Sequence, residues 1–417
     1  MDKNSVKKII IENQQRIPGL KIFSRTYTFE TEANYIITGQ RRAGKTYLLY
    51  YQIQQLLQKG FPVQGILYIS FEDERLLEMD ASGLDQVLEA YHELFEHTPV
   101  LFFDEIQNVP GWQNFVRRLA DTDHRIYVTG SNAQMLSGEM ASALGGRFMI
   151  KEIDTLSFTE YLSFHGIQVA KNTVFSAQRF DIQRAFESYF YYGGFPETIK
   201  FTDKKEYLTT LFQKVFLGDI ITRHQIRNPF AIRLLIKKLA ESTMDEVSFN
   251  RMRNIISSTG VRVGTATLIE YMDYLKEAYL IDSLANFQAK ITDRESRKKY
   301  YFRDTGIVSL FLTEPESILL ETLVHNHLRR NYPGNVYYFR DTYEVDFYVP
   351  GRVLVQACYS LKDYDTRKRE ITTLQKAAGK YLVRKQLIIT WSDEETISAG
   401  SSEIQVIPAW KWLLASV

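Results

Sequence analysis

One short loop constrains this chain more than any other feature. Gly39-Gln40-Arg41-Arg42-Ala43-Gly44-Lys45-Thr46 fits the spacing G-x-x-x-x-G-K-[ST]. A β-branched run, Tyr35–Thr38, precedes it, and Tyr47–Leu57 follows with helical periodicity. A buried strand that ends in a glycine loop and continues as a helix calls for a parallel sheet covered by helices. The two glycines let backbone N–H groups turn inward, and the helix begins with its positive end at the same place. Such a loop holds an anion. Lys45 is placed to reach the β/γ-phosphates of a nucleotide, and Thr46 to offer a hydroxyl to Mg²⁺. Gly39, Gln40, Arg41, Arg42, Ala43, Gly44, Lys45, Thr46 and Tyr47 are therefore the expected nucleotide-binding stretch. Arg41 and Arg42 are either solvated or close to the phosphates.

A phosphate loop needs an acid at the end of a second strand. Val100–Phe103 is an apolar run, and Asp104-Glu105 follows it. Ligands of open α/β sheets lie at the carboxyl ends of strands. Asp104 is expected to hold Mg²⁺ and Glu105 to polarise the attacking water, although such a pair can also simply begin a helix. A third strand ends in Thr129-Gly130-Ser131-Asn132. Asn132 is the candidate to orient water or sense the γ-phosphate, with an N-cap as its alternative. Strands are expected near residues 35, 66, 100 and 126. Arg147, after a glycine pair, and Arg223, in a later helical region, are candidate arginine fingers or surface residues.

Charge narrows the classes. Lys and Arg number 51 against 50 Asp and Glu, so any nucleic-acid contact must come from a local patch. A single cysteine, Cys358, excludes an internal disulfide and a cysteine-based zinc site, and fits a reducing cytoplasm. The N-terminal stretch lacks a signal-like apolar run. No segment approaches the ~18 apolar residues of a membrane span.

Together the loop, "FFDEIQ", "GSNAQML", "LSFTEYL" (156–162) and "YYGGFPE" (191–197) resemble the prokaryotic AAA+-type ATPases that carry a C-terminal domain of unknown function. The resemblance covers essentially the whole chain. It implies ATP as the ligand, with Mg²⁺, and a helical lid after the ATPase domain. It also implies a C-terminal part with a restriction-endonuclease-type fold. The expected class is thus α/β: an AAA+-like P-loop domain (1–154), a helical lid (155–245), a winged-helix-like region (246–312) and a nuclease-like domain (313–417).

Residues 155–245 show apolar residues at i, i+3 and i+4 over most of their length. Beyond them, two helices and two strands suggest a winged helix. Its second helix carries Glu270, Asp273 and Glu277 against Lys276, a poor match to DNA phosphates. The turn bearing Arg294, Arg297, Lys298 and Lys299 is basic and could touch a backbone, but turn charges are usually solvated. A scaffold or protein-contact role is the better reading of this region.

From residue 315 the αβββαβ order resembles the PD-(D/E)XK nuclease fold. Such a site sets a helix acid, a strand acid and an acid-x-Lys around Mg²⁺. Glu321 and Asp346 match, with Glu344 as a supplementary ligand. Gln356 stands where the second strand acid belongs, and Cys358 where the lysine does. Lys362 is too far along the chain to replace it. His325, one turn after Glu321, either assists or is a partner. The expectation is an ATP-driven switch whose nuclease-like domain binds nucleic acid or protein without cutting. An ATP-gated, Mg²⁺-dependent DNA or RNA nuclease remains open, as do self-association and a defence or toxin–antitoxin component with a protein partner.

Overall fold

The computed structural model describes residues 2–76, 79–122, 124–131, 144–170, 173, 176–290, 292, 294, 297–340, 342–399 and 402–415. Two compact units divide the chain, Met1–Thr155 and Leu156–Val417.

In the first unit the apolar runs become parallel strands: β1 (Asn34–Gly39), β2 (Ile66–Ser70), β3 (Val100–Asp104), β4 (Ile126–Gly130) and β5 (Phe148–Ile153). They lie in the order β2-β3-β4-β1-β5. Alternate residues serve opposite layers, as strand geometry requires. Ile36, Leu67, Leu101 and Ile126 pack with helices α1 (Lys3–Arg16), α3 (Ala81–His92) and α4 (Trp112–Ala120). Tyr35, Ile37, Phe102 and Tyr127 pack with α2 (Lys45–Gln58). Because every strand runs the same way, Gly39, Asp104 and Gly130 collect at one edge. The expected strands near 35, 66, 100 and 126 are present, and β4 separates the loop strand from the acid strand. Strand β5 went unanticipated, since Lys151 and Glu152 interrupt its apolar pattern and it forms a sheet edge.

The second unit opens with α5 (Phe158–Phe164), started by a reciprocal capping box between Ser157 and Glu160. Helices α6 (Arg179–Tyr192), α7 (Lys204–Lys214), α8 (Pro229–Glu241), α9 (Phe249–Ser258) and α10 (Thr265–Glu277) follow. A π-helical stretch, Val215–Thr222, extends α7. An antiparallel hairpin, β6 (Ile281–Ala285) and β7 (Lys298–Phe302), comes next. Then come α11 (Thr305–Ser309) and α12 (Glu316–Asn331). The last segment builds a mixed sheet from β8 (Tyr337–Arg340), β9 (Glu344–Val349), β10 (Val353–Ala357), β11 (Lys385–Thr390), β12 (Glu395–Ala399) and β13 (Ser402–Pro408). Its order is β12-β13-β11-β10-β9-β8, with α13 (Tyr364–Lys380) connecting β10 to β11 and α14 (Ala409–Leu414) following β13. One hydrophobic core runs from Leu156 to Leu413, and a second cluster, with Leu374 and Ala377 of α13, covers the other face of the sheet.

The "YYGGFPE" run is a joint in that core. Gly193 has φ of +70°, and a Cβ there would lie 1.8 Å from an Asp304 carboxylate oxygen. The same carboxylate accepts the Gly194 N–H at 2.9 Å and the Gly306 N–H at 2.9 Å. Gly193→Ala therefore combines left-handed strain with a clash that cannot relax into space. A loss of about 3 kcal/mol is expected, read as a lower melting temperature in calorimetry. An unchanged melting temperature would refute this role.

Candidate functional site

The edge where the first unit's strands end brings the predicted residues together. Gly39 (φ +141°) lets the chain leave β1 against the Ile153 carbonyl, which a Cβ would approach to 2.1 Å. Gly44 (φ +98°) starts α2 without any side-chain cap, so the first helical N–H groups stay available to an anion. Lys45 is 4% exposed. Its ammonium donates to the Gly39 carbonyl at 3.1 Å and the Gln40 carbonyl at 3.2 Å. It lies 3.7 Å from Glu105 Oε1.

Asp104 is pinned by three hydroxyls from three elements. Thr46 Oγ1 donates to it at 2.8 Å, Tyr68 OH at 3.0 Å and Thr129 Oγ1 at 2.5 Å. Burial, then the neighbouring Glu105 charge, push its carboxyl up to about 6, against the three hydroxyl donors. Glu105 stands in left-handed backbone, φ +51°, uncommon for a residue with a side chain. Its N–H donates to Thr129 Oγ1 at 2.9 Å, and the Gln107 amide donates to its carboxylate. Burial pushes the Glu105 carboxyl up. The Lys45 ammonium, the Gln107 amide and Arg41 outweigh it and hold the group below its ordinary range. A charged base thus stands beside an acid-and-hydroxyl pair. Thr46 and Asp104 offer one neutral and one anionic oxygen, a set that suits Mg²⁺, which keeps most of its waters and takes few protein ligands.

The rest of the loop divides by exposure. Gln40 and Ala43 are buried, while Tyr47 is 53% exposed on the outer side of α2. Arg41 lies 3.7 Å from Glu72, and Arg42 takes φ +65°. Arg25, Tyr68 and Thr129 are the residues sequence reading missed as supports. Buried Arg25 donates to the Ala43 carbonyl at 3.0 Å and the Asp154 carbonyl at 2.9 Å, bracing the loop. Nothing in its local sequence marks Arg25, whereas Tyr68 carried one faint sign, a hydroxyl in an otherwise apolar strand.

The candidate fingers fare differently. Arg147 precedes β5, whose first residue pairs with Asn34 at the start of β1. It therefore sits at the opposite edge of the sheet, about 17 Å of strand from the loop, and forms an ion pair with Asp121. Within its own chain Arg147 is therefore away from the phosphate loop. Arg223 ends the π-helical stretch and lies 3.3 Å from Asp219. Asn132 falls outside the described residues.

A second group of predicted residues meets in the other unit. Glu321 is 1% exposed on α12, and Tyr301 OH donates to it at 2.6 Å. Where β9 passes β8 the register slips by one residue between Val345 and Tyr348, a bulge of the kind that re-aims side chains. Asp346 accepts the Ala357 N–H at 2.9 Å. Gln356 is fully engaged: its oxygen accepts the Asp346 N–H at 2.7 Å, and its amide donates to Glu370 at 2.7 Å and the Glu344 carbonyl at 3.3 Å. An acid there would face the Glu370 carboxylate, so the amide is the residue this packing requires. Lys299 needs correction. It is no solvated turn residue; it lies on β7, 1% exposed, 2.5 Å from Glu344 and 3.5 Å from Glu321. Among the described residues, no three His, Cys, Asp or Glu side chains are arranged to share a metal.

His325 is a core residue. It stacks on Tyr301 with ring centres 4.3 Å apart, and burial pushes its imidazole down to about 4. Cys358 is also buried, and burial followed by the Glu370 charge lifts its thiol to about 11. At pH 8 about one thiol in a thousand is then ionised. Native Cys358 is expected to react with a disulfide reagent at least ~100-fold more slowly than the unfolded chain, followed by absorbance. Equal rates would show an open thiol.

On the outer face of α10, Glu270 and Asp273 are exposed, and Lys276 lies 3.3 Å from Asp273. No helix among the described residues is long and apolar enough to cross a membrane.

Comparison with known proteins places an AAA domain over the loop and the acid strand. Residues 31–162 match the family model of an AAA domain, and residues 183–317 match a domain of unknown function (DUF8612). The uncharacterized protein MJ1544 of Methanocaldococcus jannaschii is 34% identical over 98% of this chain and 95% of its own length. An uncharacterized protein of Haemophilus influenzae is 31% identical over 67% of this chain and 69% of its own. Among solved structures, the Walker-type ATPase PABY2304 of Pyrococcus abyssi is similar with a TM-score of 0.39 and 14% identity, over 74% of this chain and 95% of that one. The chain carries an AAA-type P-loop ATPase domain and belongs to the family of MJ1544 of Methanocaldococcus jannaschii.

Proposed function

We propose that the protein is a cytoplasmic, Mg²⁺-dependent ATP hydrolase that works as a nucleotide-driven switch. The observation that carries this is the convergence of Lys45, Thr46, Asp104 and Glu105 on one sheet edge beside an uncapped helix start. In this reading the loop N–H groups and Lys45 hold the β/γ-phosphates. Thr46 and Asp104 would hold Mg²⁺, which supplies charge neutralisation at the phosphates when bound. Glu105 orients the attacking water and takes its proton, and its backbone is fixed for that by Thr129. Asn132 contributes a γ-phosphate contact. An arginine, Arg147 or Arg223, acts in a self-associated form.

Residues 156–417 form the output of the switch: a lid, a winged-helix-like region and a nuclease-like domain that binds a protein or nucleic acid without cutting it. The commitment of Gln356 to Asp346 and Glu370 supports binding over cleavage. The direct test is phosphate release from ATP by the purified chain, with and without Mg²⁺, beside equilibrium binding of a fluorescent ATP analogue. Binding with Mg²⁺-dependent release is expected. Neither signal at millimolar ATP would reject the reading.

A further inference from the structure

The carboxylates of the C-terminal sheet do not face an empty space; a lysine fills it. Lys299 enters from β7 of the hairpin, outside the sheet itself. Its ammonium reaches Glu344 at 2.5 Å and Glu321 at 3.5 Å, and lies 5.3 Å from the centre of the Tyr338 ring. We propose that Lys299 is the resident cation of this carboxylate cluster, filling the place that a divalent metal takes in an active nuclease of the same layout.

Three observations support the assignment. First, the ligands are already satisfied. Glu321 accepts from Tyr301, Asp346 from the Ala357 N–H, and Glu344 also pairs with Arg340 at 3.3 Å. Second, the lysine is not a movable plug. Tyr300, Tyr301 and Phe302 follow it on β7 and are all buried in the unit's core, so the ammonium is delivered by a strand that cannot leave without unfolding. Third, one ammonium spans two elements of the cluster, reaching Glu321 on α12 and Glu344 on β9 from a strand that belongs to neither. A fixed ammonium among carboxylates does electrostatically what a metal does, but it cannot activate a bound water.

The assignment rests on the nuclease-like reading of residues 313–417 and is independent of the ATPase. The test therefore uses the full chain, free of nucleotide, carrying Asp104→Asn so that the phosphate-loop site gives no metal signal. Melting is followed with and without millimolar Mn²⁺. The parent is expected to show no Mn²⁺ response. Lys299→Ser should melt lower, and Mn²⁺ should then raise its melting temperature by about 3 °C or more as the metal enters the vacated place. Lys299→Met combined with Glu321→Gln should recover stability without metal and show no Mn²⁺ response. Should Lys299→Ser fail to fold, folding of the double variant supports charge compensation, and its failure as well reduces Lys299 to a packing role and overturns the proposal. Mn²⁺ stabilisation of the parent, or Mn²⁺-dependent cleavage of DNA or RNA by it that is lost in Glu321→Gln, would overturn it too. Either would make Lys299 a catalytic lysine beside a metal.

Discussion

Glu105→Gln is expected to slow ATP turnover by about 10²–10⁴-fold while leaving ATP binding intact. The substitution keeps the side chain's shape and leaves the left-handed backbone and its bond to Thr129 untouched. What it removes is the only property an amide cannot supply, a carboxylate that accepts a proton from water. In the proposed reading the phosphates are held by the loop and Lys45 rather than by Glu105, so binding has no reason to weaken. Removing the negative charge 3.7 Å from Lys45 leaves that ammonium more available to phosphate. Single-turnover phosphate release and analogue binding separate the two effects. Turnover at the wild-type rate would sink the assignment of Glu105 as base.

Lys45→Ala is expected to weaken ATP binding by at least ~100-fold, close to 3 kcal/mol. Two losses combine. The ammonium bridges the Gly39 and Gln40 carbonyls, so without it the loop loses its internal brace. It is also the largest favourable charge acting on Glu105. In the wild type Glu105 is held below its ordinary value, so its contribution to stability is present above the unfolded carboxyl pKa and is lost as pH falls through the lower folded value. Without Lys45 the largest charge opposing burial is gone, and the carboxyl rises from its lowered value. Less stability is then lost as pH falls through the folded value. Melting curves of the variant between pH 4 and 8 should therefore gain relative to wild type toward the acid end. Wild-type affinity would remove Lys45 from the phosphate site.

The first unit was readable because its chemistry is local. A loop of fixed spacing, an acid pair after an apolar run and the strands near 35, 66, 100 and 126 all declare themselves within a few residues. What was hidden has a common cause. Arg147 follows the sensor strand in sequence, yet the next strand is parallel, so it lies at the far edge from the loop of its own chain. Arg25 and Tyr68 act through contacts with residues far along the chain, which no local pattern encodes. In the second unit the helix that carries Glu321 and the strand that carries Asp346 were legible, whereas β12 was not and Lys299 was read as solvent-facing. A lysine at the end of a basic run looks exposed; only pairing of β7 with β6 and the approach of α12 turn it inward. The substitution of Gln356 was visible, but its reason, Glu370 one helix later, was not.

The Asp304 carboxylate also has a consequence for how this protein can be divided. It holds the Gly194 N–H from a position 110 residues further along the chain, a reversible cross-link made of hydrogen bonds alone. The entropy of closing so long a loop has to be met before those bonds form. A fragment that stops short of Asp304 would leave the Gly193–Gly194 turn without its acceptor and the helices ahead of it without a closing contact. Such fragments should be poorly cooperative, and exchange of C-terminal segments between relatives should succeed only when the whole stretch from Leu156 onward moves together. Evolution by shuffling would then treat residues 156–417 as one heritable part.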